Sequence, residues 1–466
     1  MSLYDTILEN LPEVVKPEER LTFRTKLIWT LLILVIFFLL QLIPLYGLGE
    51  NALTTFELLS VILGAEFGSL ISLGIGPIVT ASIVLQLLNG SGIIKFDLQS
   101  SEGKKRFQGT QKILSIFFIL FEGAIYVFFG GLAPNPALHG TSSYFVMQLV
   151  LTVQMFLGGI LIMMMDEVCS KWGFGSGLSL FIAAGVSKSL FVRTFSPISS
   201  PNNPEIMTGA IPALFQSLMA GDPTTAMLML SGVAATVLIF AAAVYAQSMK
   251  VELPLSFGRV RGYGIRWPLN FLYTSNIPVI LVSALFANIQ LWARLLQNTG
   301  FPILGTFVGN SPESGLVAII AAPNIIGTII KQGTLFIGIK IYLFSFIYLL
   351  LMLGGCIIFG MFWVQTSGMD ARSQAKQIMS SGLQIPGFRR DERILESILS
   401  RYIMPLTVMG SIAVGLLAGF ADVMGALTHG TGLLLTVMII YKLYEDIARQ
   451  HMMDMNPMMR KFMGGE

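Results

Sequence analysis

Three polar residues, Thr80, Glu122 and Asn288, stand inside long apolar stretches of this sequence. A carboxyl group at membrane depth is costly and is a functional candidate by default. The simpler alternative is a hydrogen bond between helices that only holds a bundle together. A proton- or ion-coupled pump usually carries several such groups, whereas Glu122 is nearly alone. The three residues therefore predict a small polar cluster and argue against a coupled pump.

Residues suited to covalent or metal chemistry are few. The three histidines are scattered along the chain, and no HExxH, GxSxG or P-loop pattern occurs. The two cysteines, Cys169 and Cys356, give neither a disulfide framework nor a metal-ligand cluster. The sequence therefore predicts that the protein is not an enzyme and binds no cofactor or metal ion.

Composition places these residues in a polytopic membrane protein. Of the 466 residues, 54% are hydrophobic and 12% are charged, and the mean hydropathy is +0.74. A soluble domain would carry about 25% charged residues. Long apolar windows predict ten membrane crossings. They fall near residues 25–47, 74–90, 112–133, 144–165, 174–193, 224–248, 276–298, 334–363, 402–426 and 431–448.

The stretch 53–88 contains two helical pieces separated by a glycine-rich break. Thr54 and Glu57 have the spacing of a capping box, but the piece that they begin is shorter than the roughly 20 residues that a bilayer requires. The second piece starts around Pro77, a residue well tolerated in a first helical turn. Exposed backbone at membrane depth is tolerated only inside protein or beside water. The break therefore predicts a pore or a cavity.

The distribution of charge predicts the orientation in the membrane. Most of the 29 lysines and arginines fall in alternate connections, so the positive-inside rule places both termini in the cytoplasm. Apolar residues at helical spacing within 1–24 predict an interfacial amphipathic helix. Two long basic loops, 250–274 and 365–400, are predicted on the cytoplasmic side. Their arginines either serve topology alone or dock a polyanion or an acidic protein surface.

A weak internal repeat divides the chain. GSGLSL at 175–180 is echoed by GTGLLL at 430–435, and Pro77 and Pro278 lie near the starts of the second and seventh crossings. Five crossings in each half would make the halves inverted, with a pathway at their interface. The predicted units are a cytoplasmic N-terminal segment (1–24), a first half (25–193), an external loop (194–223), a second half (224–448) and a cytoplasmic tail (449–466).

Two pairs of apolar residues have a spacing that suits a constriction. Ile75 and Val79 lie four residues apart on one face of the second crossing, and Phe174 and Leu178 do so at the glycine-flanked start of the fifth. Such residues either pack between helices or form an apolar ring that resists hydration and excludes ions. The flanking glycines let backbones approach closely and favour the ring.

Four long motifs in the chain resemble the SecY family, the large subunit of the Sec protein-conducting channel, in its archaeal form. LGIGPIVTASIVLQLL (73–88) and DEVCSKWGFGSGLSLFI (166–182) are similar to the two signature stretches of that family. SNIPVILVSALFANIQLW (275–292) and HGTGLLLTVMIIYKLYE (429–445) resemble it too. The resemblance covers nearly the whole chain. It implies an all-α fold of ten transmembrane helices in two inverted five-helix halves, forming a clamshell around a central pore.

The resemblance also assigns roles to single residues. It implies a pore ring of Ile75, Val79, Phe174, Leu178, Ile280 and Leu435, in which a Phe and two Leu replace the isoleucines usual in the family. It implies a plug at about 54–67, with Thr54, Glu57, Leu58, Val61 and Ile62, and a lateral gate whose polar cluster is Thr80, Glu122 and Asn288. The arginines implied for ribosome docking are Arg259, Arg261, Arg389 and Arg390.

Two functions from different classes remain open at this point. The resemblance implies a passive channel for secretory polypeptides and for lateral release of membrane segments into lipid, working with SecE, a small β subunit and a ribosome that carries a nascent chain. The alternative is a secondary transporter with inverted repeats, which predicts convergent polar groups around a small substrate at the midplane. The apolar residues at the helix breaks favour the channel.

Overall fold

The computed structural model is almost entirely helical. It describes residues 10–19, 21–51, 66–90, 93–94, 96–97, 100–138, 140–200, 203–257, 264–298, 300–308, 311–334, 338–380, 383–384, 391–428 and 430–455. In these ranges, ten helices of 15 to 32 residues form the main bundle. They are α1 (Phe23–Gln41), α2 (Gly76–Gly90), α3 (Ser101–Phe128), α4 (Ser142–Trp172), α5 (Gly177–Phe195), α7 (Pro223–Ser248), α8 (Ile277–Asn298), α11 (Ile339–Thr366), α13 (Glu392–Val423) and α14 (Gly430–Met455).

Shorter elements occupy the connections between these helices. The strands are β1 (Leu48–Asn51), β2 (Leu132–Pro134), β3 (Ser199–Ser200), β4 (Asn203–Met207), β5 (Lys250–Phe257), β6 (Gly264–Asn270), β7 (Phe307–Val308), β8 (Ser311–Pro312) and β9 (Leu383–Gln384). The short helices are α6 (Ala210–Ala220), α9 (Gly315–Ile320), α10 (Ile325–Gln332) and α12 (Ala371–Ser380), with one 3-10 turn at Pro136–Leu138.

Each of the ten predicted crossings overlaps one helix of the bundle. Eight of these helices are long and apolar enough to span a bilayer. The other two are α2, which has 15 residues, and α14, whose second half is charged. Side chains that accept backbone N–H groups begin several of the helices: Thr22 for α1, Ser100 for α3, Asp222 for α7 and Asp391 for α13.

The order of helix contacts repeats along the chain. In the first half α2 packs on α3, α3 on α4 and α1 on α4; in the second half α8 packs on α11, α11 on α13 and α7 on α13. Five helices in each half and the same neighbours in each agree with the weak repeat in the sequence. The halves meet where α2 contacts α8 and α11, and where α5 contacts α14.

The N-terminal residues 10–19, here called the strap, are not helical. The predicted amphipathic helix is therefore wrong for this part, and residues 1–9 lie outside the described ranges. Pro12 lacks an N–H group for a helical ladder. The strap backbone bonds instead to α4: the Val14 N–H donates to Glu167 Oε2 at 3.0 Å, and Trp172 Nε1 donates to the Val15 carbonyl at 2.9 Å.

One end of the bundle carries the strap and many lysines, and is called the basic end below. Lys112 bonds to the strap and to Glu167, and Lys250 pairs with Glu445 on α14 at 3.1 Å. The predicted basic loops contain the three-stranded antiparallel sheet β6–β5–β9 and helix α12. The four predicted docking arginines, Arg259, Arg261, Arg389 and Arg390, lie outside the described residues.

Candidate functional site: a cavity between the two halves

A cavity of about 320 Å³ lies where α2, α5, α8 and α14 converge. Apolar side chains form most of its wall, and five of the six predicted ring residues are among them: Ile75, Val79, Phe174, Leu178 and Ile280. Polar residues also line it, among them Gln86, Gln111, Lys442 and Asp446, which lie towards the basic-end termini of α2, α3 and α14. The cavity therefore has an apolar wall, to which both halves contribute, and polar residues at the side that faces the basic end.

The ring residues from α2 and α8 belong to one continuous core. Ile75, Val79 and Ile280 are buried and pack in the same cluster, and Leu178 is half-buried against it. Leu435 is also buried in this cluster, but it does not line the cavity. The cavity is lined instead by other apolar residues one turn further along the same helices, namely Ile439 on α14 and Ile182 on α5. Extending the four-residue spacing from Leu435 and Leu178 would have found both.

Phe174 differs from its companions. It is buried and lines the cavity, yet it is outside the cluster that unites the other ring residues. Its ring packs against Phe23 at the beginning of α1, with 5.6 Å between ring centroids, and Lys26 Nζ lies 5.8 Å from the ring centroid. An aromatic residue thus joins the cavity wall to α1, a contact that an isoleucine could not make with a cation.

The predicted break in the backbone is present before α2. Residues 67–75 form turns, Gly74 has a positive φ of 55°, and α2 begins at Gly76. Backbone bonds attach the turns to the segment after α1: Leu45 N–H donates to the Gly68 carbonyl at 2.9 Å. The predicted plug residues Thr54, Glu57, Leu58, Val61 and Ile62 lie outside the described ranges.

The predicted polar cluster links the two halves. Asn288 Nδ2 on α8 donates to Thr80 Oγ1 on α2 at 2.8 Å, and Thr80 donates in turn to the Gly76 carbonyl at 2.9 Å. Glu122 on α3 is fully buried and interacts with Thr80, but neither carboxyl oxygen reaches hydrogen-bond geometry with a described residue. Tyr126, one turn after Glu122 on α3, is equally buried. The i, i+4 spacing from Glu122 was the sequence signal for it.

The described residues show no grouping of three or more His, Cys, Asp or Glu side chains that could hold a metal ion. Both cysteines are buried as free thiols. The geometry therefore defines a multi-pass helical membrane protein in which two five-helix halves line an apolar-walled cavity. At one seam a described side-chain hydrogen bond joins α2 to α8.

The chain belongs to the SecY family. The SecY family model matches residues 69–444. The protein translocase subunit SecY of Methanothermobacter thermautotrophicus is 44% identical over 465 residues, which cover 99% of this chain and 98% of the relative. SecY of Methanocaldococcus jannaschii is 40% identical over 460 residues, 98% of each chain. These relatives confirm the resemblance seen in the four sequence motifs.

Solved structures share the whole architecture. A protein-conducting channel matches with a TM-score of 0.82 and 40% identity over 97% of this chain and 98% of that chain. Sec61 in a canine ribosome-channel complex from the endoplasmic reticulum matches with a TM-score of 0.78 and 39% identity at the same coverage. The predicted fold class, ten helices in two inverted halves that form a clamshell, is confirmed.

Proposed function

We propose that this chain is the channel-forming subunit of a protein translocase, a passive conduit for secretory polypeptides and for lateral release of membrane segments into lipid. The observation that carries the proposal is the apolar wall that α2, α5 and α8 contribute to one cavity, within a fold shared with a protein-conducting channel. The protein translocase subunits among its relatives support the same activity.

The apolar side chains of the cavity wall are suited to a seal that excludes ions at rest and opens when a polypeptide enters. Wetting an apolar constriction is unfavourable, so aliphatic side chains exclude ions without any fixed charge. Ile75, Val79 and Ile280 have no polar atoms that would hold a passing peptide. A polypeptide can part them, and van der Waals contact between them restores the seal after it leaves. We assign the six predicted ring residues to this seal, with Ile439 and Ile182 extending it.

The seam between α2 and the pair α8 and α11 is the proposed lateral gate. Thr80 and Asn288 bond across it, and Glu122 lies beside them within the first half. An apolar segment that enters the seam can replace helix contacts with its own and then move to lipid, because hydrocarbon solvates it as well as the protein does. The proposed plug, about 54–67, ends near Glu66, which pairs with Lys188 on α5 at 3.4 Å. A solved SecY structure in which the plug domain stabilises the closed channel supports this role.

The partners follow from the relatives and from charge. We propose that the basic end faces the cytoplasm with both termini, as the positive-inside rule requires. A ribosome with its nascent chain docks there through Arg259, Arg261, Arg389 and Arg390, a role supported by the Sec61 ribosome complex. SecE and a small β subunit complete a heterotrimer in the cell membrane. A secondary transporter is less well supported, because the cavity wall between the halves is largely apolar.

Resting conductance of the purified complex in planar bilayers tests the seal. We expect Val79→Asn to raise ion conductance, because a buried amide at the constriction favours water. Val79→Leu is the matched control, since it keeps an apolar side chain at the same place. Equal conductance of Val79→Asn, Val79→Leu and the unmodified protein would refute the proposed seal.

A further inference from the structure

Two ring residues lie four positions apart, Phe174 in the connection between α4 and α5 and Leu178 in the first turn of α5. Each has its backbone N–H bound by a side chain of another helix. The Phe174 N–H donates to Thr30 Oγ1 of α1 at 3.0 Å. The Leu178 N–H donates to Asp166 Oδ1 of α4 at 2.9 Å. Backbone bonds of this kind fix the position of the main chain itself, and therefore the direction of the side chain that it carries.

The Asp166 bond replaces the cap that the sequence leads one to expect. Ser176 is the N-cap residue of α5, yet its side chain makes no capping bond. Its hydroxyl donates to Asp166 Oδ1 at 3.3 Å, and the carboxylate then accepts the Leu178 N–H. The first N–H groups of a helix lack partners within it, and a negative charge at that end is favourable. Asp166 thus caps α5 from a neighbouring helix.

Both ends of the connection pack closely against the helices that supply these side chains. A Cβ atom at Gly177 would lie 2.7 Å from the Cα of Asp166, so the first turn of α5 is pressed directly against α4. A Cβ atom at Gly173 would lie 2.8 Å from Thr30 Oγ1, so the other end of the connection is pressed against α1. Thr30 is itself held, because its hydroxyl donates to the Lys26 carbonyl at 2.9 Å.

We propose that Asp166 is a positioning residue of the channel seal, which holds Leu178 at the height where it closes the cavity, and that Thr30 does the same for Phe174. The proposal rests on the proposed channel function. Neither residue needs to touch the polypeptide. Each sets where a ring side chain stands. Loss of the Asp166 bond lets the first turn of α5 fray, loss of the Thr30 bond frees the connection before α5, and either change makes the closed channel leak.

The test uses the purified complex in planar bilayers. We expect Asp166→Ala to raise resting conductance about two- to thirty-fold, the range that corresponds to the loss of one helix cap. Asp166→Asn should remain close to the unmodified protein, because the amide oxygen can accept the Leu178 N–H. Asp222→Ala is the matched control, since it removes the cap of α7, where the Asp222 carboxylate accepts from Thr224 and Thr225.

Substitutions of Thr30 provide an independent test if the Asp166→Ala protein fails to insert in the membrane. Thr30→Val removes the acceptor of the Phe174 N–H at nearly constant volume and should also leak, whereas Thr30→Ser retains a hydroxyl and should not. A second readout is the labelling of Leu178→Cys by a membrane-impermeant maleimide, in a protein that also carries Cys169→Ala and Cys356→Ala. Labelling should become faster in Asp166→Ala and stay slow in Asp166→Asn.

The outcomes separate this proposal from the channel function. Should Val79→Asn leak while both Asp166→Ala and Thr30→Val conduct like the unmodified protein, the positioning role is overturned and the channel stands. Equal leakage from Asp222→Ala, or from Asp166→Asn, also overturns it, because general destabilisation or charge alone would then explain the effect. A silent Val79→Asn would instead overturn the channel seal on which the proposal rests.

Discussion

The hydrogen bond between Asn288 and Thr80 lets the stability of the closed seam in the proposed lateral gate be worked out from single atoms. Asn288 Nδ2 donates across the seam to Thr80 at 2.8 Å, while its Oδ1 is buried without a partner among the described residues. Asn288→Leu keeps the size of the side chain, loses the bond and removes the unpaired oxygen. Thr80 retains its bond to the Gly76 carbonyl and is not stranded.

The magnitudes decide the direction of the effect. A hydrogen bond between helices in a membrane contributes about 0.6 kcal/mol on average. A buried acceptor without a partner costs about 1–3 kcal/mol. The relief therefore exceeds the loss, and Asn288→Leu should stabilise the closed seam by about 0.5–2 kcal/mol. That difference lowers the open fraction about two- to thirty-fold.

The assay is translocation into proteoliposomes of substrates whose targeting segments differ only in hydrophobicity. A weakly apolar segment gains little by entering the seam, so its transport should fall first in Asn288→Leu, while a strongly apolar segment still opens the gate. Thr436→Val is the control for threonine changes. In the unmodified protein the Thr436 hydroxyl donates to the Gly432 carbonyl, just as the Thr80 hydroxyl donates to the Gly76 carbonyl. Thr436 lies on α14, however, and takes no part in the bond to Asn288.

A double-mutant cycle with Thr80→Val isolates the bond itself. We expect a coupling free energy near 0.6 kcal/mol between Asn288→Leu and Thr80→Val, and none between Asn288→Leu and Thr436→Val. Transport of weak substrates that rises in Asn288→Leu would refute the reasoning, because the bond would then outweigh the unpaired oxygen. An equal fall for weak and strong substrates would place the defect outside the gate.

Two further predictions concern the basic end. Arg389→Glu combined with Arg390→Glu should weaken ribosome binding to proteoliposomes, with a smaller dependence on salt, because fewer cationic contacts remain to be screened. Acid should weaken the attachment of the strap: a hydrogen bond from Lys171 holds the pKa of Glu13 below its ordinary value of 4.5, so the bond contributes above that value and is lost as the pH falls through the lowered pKa. Hydrogen exchange of the strap across pH 3–7 measures this, and Glu13→Gln should remove the transition.

Each of these two predictions has its own control and its own contrary result. Arg372→Glu reverses one charge on α12, half the charge change of the double variant, and tests whether any basic residue suffices. Binding as strong in the double variant as in the unmodified protein would leave Arg389 and Arg390 as signals of topology only. For the strap, Glu18→Gln changes a carboxyl group outside the contact to Lys171. A pH transition that persists in Glu13→Gln would assign strap release to another group.

Features that depend on local sequence were predictable. The ten helices follow from continuous apolar windows, and the break before α2 follows from Gly74, Gly76 and Pro77, whose backbone preferences act within a few residues. The prediction of a helix in the strap was wrong because it, too, used local sequence alone. Helical spacing of apolar residues was read without the backbone partners that Glu167 and Trp172 supply from far along the chain.

Features that depend on how helices are rotated and paired were not predictable from spacing. The sequence does not distinguish Leu435 from Ile439 as the residue of α14 that lines the cavity. Only the packing of α14 against α5 shows that it is Ile439. The contacts of the Phe174 ring with Phe23 and Lys26 could not be predicted without knowing that α1 passes beside the α4–α5 connection. The capping of α5 by Asp166 likewise required the fold.

In the proposed channel, the polar groups near the seam oppose closure. Glu122, Tyr126 and Asn288 each keep a buried polar atom without a hydrogen bond in the described structure, and Gln86 does so on the cavity wall. Such atoms lower the stability of the closed state, since each would gain a partner if water or a peptide entered. The apolar ring, in contrast, favours closure, because wetting it is unfavourable. Under the proposed function, the polar seam therefore reduces the free-energy difference between the closed and open states, and the burial of one apolar segment in the seam shifts that balance further towards opening.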